Sequence, residues 1–408
     1  MTKTLRSEAG FTLLEVLIST AIMLTVTGGI FMVMNPSGKM FQAQPEVVDM
    51  QQRLRIGVDT LTRDLVMAGA GAYSGSQTGT LTGFFSPILP SRQGNAPATF
   101  NGLTLDQGPG AYSSNSITII FVPSTFSQTT ISQGMPTSSA ELKVNPEYGC
   151  PNGANLCGFQ AGEQVLIYDD TGSFDTMTIT QVQDNAGHLQ HNQSGDLSKS
   201  YDSGAKIVQI QQHSYYLDPV SRQLMHWDGI NNPVPLLDEV VGLNFEYYAD
   251  PQPPAMKDGN GLSGKQDVTY GPPPPAMGVT KPSSGAYWPK GENCTIQMSG
   301  DGLTQIPRLA TLGGVGTGLV KLTQAQLTDG PWCPDPNNSN RFDADLFRIK
   351  KIRVTLRLQT GNASLRRAVT GGADALFTNG GTATDGARVV GDQQIRFDVS
   401  PRNLNLTR

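Results

Sequence analysis

The longest apolar run of the chain lies at its amino end. No Lys, Arg, Asp or His occurs from Phe11 to Met34, and a helix of that length can cross the roughly 30 Å hydrocarbon core of a bilayer. One charged residue, Glu15, interrupts the run. A carboxylate inside the hydrocarbon region costs on the order of 3 kcal/mol, so it needs a partner. The pattern therefore predicts a membrane helix that carries one functional acidic group.

A second helical pattern follows the apolar run. Residues 35–38, with the sequence Asn-Pro-Ser-Gly, are expected to break or kink the helix where it leaves the bilayer. Pro45 suits a first helical position, and apolar residues then recur at three- and four-residue steps from Val47 to Ala68. This pattern predicts an amphipathic half-helix over 35–69 that packs its apolar stripe on a sheet.

The rest of the chain has the patterns of β-strands, after a connection from Ala70 to Asn115 that is rich in Gly, Ser, Thr and Pro. In Ile352–Leu358 apolar residues alternate with polar and mostly basic ones, which predicts a half-buried antiparallel strand with a basic outer face. The predicted fold class is α+β, a long amino-terminal helix packed on an antiparallel β-sheet with long loops. The other predicted strands are Ser116–Val122, Gln164–Tyr168, Thr176–Val182, Lys206–Tyr216, Gln223–Trp227, Leu236–Tyr248 and Ile395–Val399.

Composition and charge narrow the class of protein. The 408 residues include 46 Gly and 27 Pro but only 15% charged residues, which favours strands, turns and loops over a helical bundle. The length allows one large or two medium cores. The formal net charge of −5 disfavours nucleic-acid binding through bulk positive charge. The basic residues around the last long strand are interpreted as a solvated surface: Arg348, Lys350, Lys351, Arg353 and Arg357.

A short polar leader precedes the apolar run and holds Lys3 and Arg6. An ordinary secretory signal is cut after its apolar part, whereas here the small residue Gly10 comes before it. Cleavage between Gly10 and Phe11 would leave the helix on the mature protein and create an amino group at Phe11. That ammonium is the natural counter-charge for Glu15. A neighbouring subunit shifted along the helix axis can present its amine to Glu15 directly, which suggests polymerisation.

The four cysteines lie in the part of the chain that the Lys and Arg asymmetry places outside the cytoplasm. An even number in an oxidising compartment points to disulfides, and three pairings are open. Cys150 with Cys157 would close a small turn, and Cys294 with Cys333 would tie off a long insertion. A zinc site is the alternative, but the spacing has no paired C-x-x-C elements and no His nearby.

The segment Gly10-Phe11-Thr12-Leu13-Leu14-Glu15 resembles the class III leader motif of type IV prepilins and type II secretion pseudopilins. The resemblance implies that a prepilin peptidase cuts after Gly10 and methylates the nitrogen of Phe11. It also implies that Glu15 neutralises the Phe11 amine of an adjacent subunit in a fibre. Leader residue Glu8 departs from the usually basic leaders and leaves Lys3 and Arg6 to hold the leader in the cytoplasm.

Softer similarities extend along the chain and resemble PilW-like minor pilins. They lie in residues 51–55, 61–69, 215–225, 235–248 and 401–404. The resemblance implies a cleaved leader over 1–10, a transmembrane and fibre-core helix over 11–34, the periplasmic half of that helix over 35–69, and a β-rich pilin-like head over 70–408. Residues 250–293 and 361–386 look like insertions, and the first of them, with Pro272–Pro275, is expected to be a surface excursion.

The function that the resemblance implies is that of a non-enzymatic minor pilin in type IV pilus assembly. The large head favours a tip or priming position. Its partners would be the prepilin peptidase, other pilins and the inner-membrane assembly machinery. The protein would sit in the inner membrane with its amino end in the cytoplasm and its head in the periplasm, before it enters an extracellular pilus. A minor pseudopilin of type II secretion, or an adhesin displayed on a fibre, is the alternative.

Motifs of catalysis are not recognisable in the sequence. His188, His191, His213 and His226 lack the H-E-x-x-H spacing. Residues 203–206 match S-x-x-K without the S-D-N and K-T-G elements that accompany it in serine acyltransferases. The glycine-rich residues 313–318 do not have the spacing of a dinucleotide-binding loop. An enzyme is therefore not expected.

No cofactor is expected, but one oxygen-rich stretch is a candidate for calcium. Oxygen ligands recur at alternate positions, as hard cations require, although the spacing departs from that of an EF-hand loop. A solvated acidic loop is the alternative. The candidate ligands are Asp335, Asn337, Ser339, Asp343 and Asp345.

Overall fold

The computed structural model describes only part of the chain. Those residues are 10–71, 83, 85–90, 99–100, 103–104, 113–123, 127–169, 173–192, 197–256, 268–276, 287–314, 316, 318–338, 341–368, 381–383 and 385–405. All statements below concern these residues. They form one long helix, a set of short strands and a few single helical turns, which confirms the predicted α+β class with a β-rich head.

The first element, α1, is a single helix of 55 residues, Leu13–Met67. The expected break at residues 35–38 is wrong, since the helix runs through them, and Pro45 lies inside the helix rather than at its start. The helix contains two prolines, Pro36 and Pro45. Because proline has no backbone N–H, each removes one hydrogen bond from the long helical ladder. The predicted apolar stripe is confirmed by the buried side chains Met50, Leu54, Leu61, Leu65 and Ala68.

A five-stranded antiparallel sheet contains two of the predicted strands in full or nearly so. Its central strand, β12 (Gln211–Asp218), forms hydrogen bonds with β4 (Ser116–Phe121) on one side and β13 (Gln223–Trp227) on the other, and every residue of β4 is buried. In sheet order the strands are β1 (Ile88–Pro90), β4 (Ser116–Phe121), β12 (Gln211–Asp218), β13 (Gln223–Trp227) and β14 (Val234–Leu237).

A seven-stranded antiparallel sheet contributes most of the residues of one hydrophobic core cluster. This cluster includes Ile131, Val165 and Ile207. The strands of this sheet in order are β8 (Phe174–Thr178), β7 (Gln164–Tyr168), β11 (Lys206–Gln209), β5 (Gln128–Gln133), β6 (Leu142–Val144), β10 (His188–Gln190) and β9 (Gln181–Gln183).

A four-stranded sheet contains the strand with alternating apolar and basic residues. In sheet order its strands are β18 (Val320–Lys321), β15 (Val240–Ala249), β21 (Ile349–Leu358) and β24 (Gln393–Val399). The predicted alternation is confirmed, because Ile352, Val354 and Leu356 are buried between half-buried neighbours. Two-stranded ribbons are formed by β2 (Thr99–Phe100) with β3 (Leu103–Thr104), β16 (Ile296–Met298) with β17 (Gln305–Pro307), β19 (Trp332–Cys333) with β20 (Phe342–Asp343), and β22 (Gly381–Ala383) with β23 (Gly386–Arg388).

The chain forms two compact units. The first combines the chain up to Arg53 with Leu358–Gln393. In this unit the hydroxyl of Thr360 donates a hydrogen bond of 2.6 Å to the carboxylate of Glu46 on α1. Leu365, which lies in the segment 361–386 predicted as an insertion, contributes to a small core that packs on the helix. That core consists of Ala43, Met50, Leu365, Val389 and Val390.

The second unit combines Leu54–Arg357 with Gln394–Arg408. Here α1 approaches the sheets closely at Gly57. A Cβ at this position would stand 2.6 Å from Cδ1 of Leu237 in β14 and 2.9 Å from Cδ2 of Leu356 in β21. The absence of a side chain at Gly57 lets the helix backbone pack directly on both strands.

Two surface predictions are wrong for the residues described. In the proline-rich segment, Pro272 and Pro274 are buried, and the side-chain amide of Asn293 donates a hydrogen bond of 3.0 Å to the carbonyl of Pro272. Arg348 is 0% exposed and does not lie on a basic outer face. Its guanidinium pairs with Asp345 at 3.0 Å and donates to the carbonyl of Ala310, so the buried charge has an acidic partner.

Candidate functional site

The helix begins with a capping box formed by Thr12 and Glu15. The backbone N–H and the hydroxyl of Thr12 both donate to Oε2 of Glu15, each at 2.9 Å. The backbone N–H of Glu15 donates in return to Oγ1 of Thr12 at 3.2 Å. The box satisfies donors that every helix start leaves open, and it fixes the carboxylate against the first turn.

The groups predicted for processing lie just before this box. Gly10 and Phe11 precede the first helical residue, Leu13, and both are exposed. The space where a Cβ of Gly10 would stand contains no other atom within 4 Å. Glu15 is exposed as well, and its Oε1 takes no part in the two bonds from Thr12. The site therefore presents an uncrowded peptide bond and a carboxylate with one oxygen left to accept.

The helical span that follows is long and apolar enough to cross a membrane. It covers Leu13–Met32, has a mean hydropathy of 1.9, and none of it is buried. Three of its hydroxyl groups donate within the helix: Ser19 to the carbonyl of Glu15, Thr20 to that of Val16 and Thr25 to that of Ala21. These bonds satisfy the three hydroxyl groups without water, so lipid or other apolar helices can cover this part of the surface.

Comparison with known proteins agrees with this geometry. Residues 5–31 match the family model described as the prokaryotic N-terminal methylation motif. No curated protein and no solved structure matches the chain. The motif fits a type IV pilin-like or pseudopilin protein, and the apolar helix suits an anchor in the inner membrane. Proteins of this kind are structural subunits, and the leader suggests processing by a prepilin peptidase and assembly with other pilins.

Two disulfide bonds join the four cysteines. Cys150 pairs with Cys157, and Cys294 pairs with Cys333. This is the pairing that the sequence favoured among the three that were open. The second bond ties the segment before β16 to β19, and both of its cysteines are fully buried.

The candidate calcium ligands are only partly brought together. Asp335 accepts hydrogen bonds from the backbone N–H groups of Asn337 and Asn338, which is a local turn. Asp343 and Asp345 lie in a different group with Asp329, in which one carboxylate oxygen of each lies within 4.8 Å of the others. Ser339 lies outside the described residues. Calcium binding remains a prediction.

Burial changes the pKa of two carboxyl groups in the cluster of Asp329, Asp343 and Asp345. It raises the pKa of Asp343 to about 7 and the pKa of Asp345 to about 6. Asp343 accepts hydrogen bonds from the backbone N–H groups of Asp345 at 2.9 Å and Gly330 at 2.6 Å. These bonds, together with the ion pair between Asp345 and Arg348, give the two carboxylates partners within the chain.

The basic face of β21 is paired with an acidic residue of the neighbouring strand. Lys351 and Arg353 bind the carboxylate of Asp398 in β24, at 3.0 Å and 2.7 Å. The hydrogen bond from Arg353, together with that from Lys351, lowers the pKa of Asp398 to about 2. Both cations also lie over the ring of Tyr248, at 4.4 Å and 4.9 Å from its centre. This face therefore serves contacts within the protein.

Sequence reasoning missed a polar cluster between α1 and the five-stranded sheet. Asp64 accepts hydrogen bonds from Nδ1 of His213 and from the hydroxyl of Tyr215, and His226 lies beside them. The sequence did contain an indication of this cluster. Asp64 follows Leu61 by three positions and therefore falls on the apolar stripe of the helix. A carboxylate on that stripe needs a partner in the sheet.

Proposed function

We propose that the protein is a PilW-like minor pilin, a non-enzymatic structural subunit that takes part in type IV pilus assembly. The observation that carries the proposal is the methylation motif over residues 5–31, at the start of a helix whose apolar span is entirely unburied. The functional groups within it are the Gly10–Phe11 peptide bond, the nitrogen of Phe11 and the carboxylate of Glu15. The partners are the prepilin peptidase, other pilin subunits and the inner-membrane assembly machinery.

Processing is the first step. The Gly10–Phe11 bond lies before the helix and next to a residue without a side chain, so a peptidase can reach it without unwinding a helical turn. Cleavage makes Phe11 the new amino terminus, and methylation keeps its positive charge. The capping box of Thr12 and Glu15 lies after the bond and stays intact in the mature subunit.

Assembly is the second step. If the mature helix extends to Phe11, its rise of 1.5 Å per residue puts Glu15 about 6 Å further along the axis than Phe11. A neighbouring subunit displaced by that step brings its own ammonium to the level of Glu15. Two opposite charges that meet in an apolar fibre core attract strongly, because little water screens them. The pairing would set the axial step between subunits while the apolar spans cover one another.

The size of the head supports a tip or priming position. The three larger sheets lie between Ile88 and Val399, a far longer stretch of chain than the span that enters the fibre core. Each subunit of a repeating shaft must fit its head beside identical heads. A subunit used once, at the tip or in a priming complex, does not face this restriction.

Replacement of Glu15 tests the proposal. We expect Glu15→Ala to leave membrane insertion and cleavage intact and to reduce incorporation into sheared pili by at least about tenfold, measured by quantitative immunoblotting of pili and membranes. Glu8→Ala is the matched control, because it removes a carboxylate from the leader, which is lost before assembly. Normal incorporation of Glu15→Ala would contradict the proposal.

A deletion experiment separates the proposal from its closest alternative. A strain that lacks the protein is scored both for surface pili and for secreted proteins. Loss of pili with normal secretion supports a minor pilin. Loss of secretion with normal pili assigns the protein to the pseudopilins of type II secretion instead.

A further inference from the structure

Three potential metal ligands meet where α1 packs on the five-stranded sheet. The period of two along a strand puts His213 and Tyr215 on one face of β12, and the register of the sheet puts His226 of β13 opposite Tyr215. Asp64 approaches the same face from α1. One ligand atom from each of Asp64, His213 and His226 lies within 4.8 Å of the others.

The two imidazole rings lie against each other. Their centres are 4.8 Å apart and the rings meet edge to face at 78°. Phe121 of β4 covers His213 from another side, with 5.4 Å between ring centres. The cluster is therefore partly buried, with an aromatic wall, and all its members belong to the second compact unit.

The cluster leaves one buried ring nitrogen without a partner. Asp64 Oδ2 accepts from His213 and Tyr215, whereas Nε2 of His226 is buried and has no hydrogen-bond partner among the described residues. A polar atom that is buried without a partner destabilises the fold, and it needs an explanation in the structure. An ion that binds His226 through this nitrogen would supply one.

We propose that Asp64, His213 and His226 form a binding site for one zinc ion, which links α1 to β12 and β13. Two imidazoles and one carboxylate are a donor set that zinc favours, with a water molecule at the fourth position. Ligands at 2.0–2.2 Å from one ion stand about 3.3 Å apart in a tetrahedron. The ligand atoms therefore need to move relative to one another by roughly 1.5 Å at most, which side-chain rotation can supply.

The ion would stabilise the head by tying the helix to the sheet. Since the metal binds only the folded state, its affinity adds to the stability of that state. The site is independent of the amino-terminal motif. A negative result for zinc therefore leaves the proposed role in pilus assembly unaffected.

The test uses the full chain in detergent micelles, treated with a chelator and then freed of it. Zinc chloride is titrated by calorimetry, and unfolding is followed with and without zinc. We expect one zinc ion per chain, micromolar or tighter binding and a higher melting temperature. No binding at 100 µM zinc would overturn the proposal.

His226→Gln is the informative variant, because His226 donates to no described partner and its loss leaves the bonds between Asp64, His213 and Tyr215 in place. We expect zinc binding at least about tenfold weaker, with unchanged stability in the absence of metal. His188→Gln is the matched control, since His188 lies in the seven-stranded sheet and pairs with Glu141. Equal zinc affinity in His226→Gln and the wild type would overturn the proposal.

A second measurement on the wild type covers the case in which His226→Gln does not fold. X-ray absorption at the zinc edge of the loaded protein should show two imidazole ligands on one ion. A spectrum without imidazole, as binding to the acidic group of Asp329, Asp343 and Asp345 would give, would overturn the proposal.

Discussion

Thr12 holds the carboxylate of Glu15 at the start of α1 through two hydrogen bonds. Thr12 supplies two donors to a single oxygen of Glu15, so the carboxylate already has partners in an isolated subunit. Hydrogen bonds to a charged acceptor are stronger than neutral ones and offset part of the cost of a carboxylate in lipid. The other oxygen, Oε1, can accept the ammonium of a neighbour. In the proposed assembly, the subunit would therefore wait in the membrane and pair with a neighbour later.

Replacing the hydroxyl of Thr12 tests this view of the helix start. Thr12→Val removes the cap and one donor to Glu15 but keeps the shape of the side chain. A lost cap costs about 1 kcal/mol, so we expect roughly fivefold faster hydrogen exchange of the first-turn amides in detergent micelles. Thr12→Ser keeps the hydroxyl and should exchange at the wild-type rate. Equal rates for Thr12→Val and the wild type would show that the capping box does not hold the helix start.

The sequence predicts functional residues only where they lie close together along the chain. Gly10, Phe11 and Glu15 lie within six consecutive positions, so their spacing in the sequence is enough to predict them as one motif. The cluster of Asp64, His213 and His226 joins residues from a helix and two strands that are far apart in sequence. Only the register of β12 and β13 and the position of α1 bring those side chains together. No local pattern could show that.

At the scale of elements, prediction succeeded where burial dominates. The strands β7 and β13 have the predicted bounds, because apolar and aromatic residues mark them. The strand β5 was missed, since its sequence Gln-Thr-Thr-Ile-Ser-Gln is mostly polar, and it is held by pairing with β11 and β6 on its two sides. The helix break at 35–38 was wrong because the cost of one proline is small beside a ladder of this length.

The close packing of α1 on the sheets gives a prediction for Gly57. Gly57→Leu forces a side chain into the positions of Leu237 and Leu356, so we expect the free energy of unfolding of the head to fall by about 1–3 kcal/mol. Urea titration followed by tryptophan fluorescence measures this, because Trp227 is buried in β13. Gly28→Leu is the control, since nothing lies within 4 Å of a Cβ at Gly28. An unchanged urea midpoint for Gly57→Leu would rule out the close approach.

At the scale of the whole molecule, two kinds of surface coexist in one chain. The span Leu13–Met32 is apolar and has no part buried, while the sheets of the head bury their apolar residues in cores of their own. A protein with only the first kind would be an anchor, and one with only the second would be a soluble domain. Their combination, with the methylation motif at the start of the span, is what a subunit that passes from a membrane into a fibre requires.

The state of the amino terminus tests the central claim most directly. Mass spectrometry of the protein isolated from membranes and from sheared pili identifies the first residue of the mature chain. We predict an amino-terminal peptide that begins with N-methylated Phe11. Mature protein whose peptides run uncut across the Gly10–Phe11 bond would contradict the account.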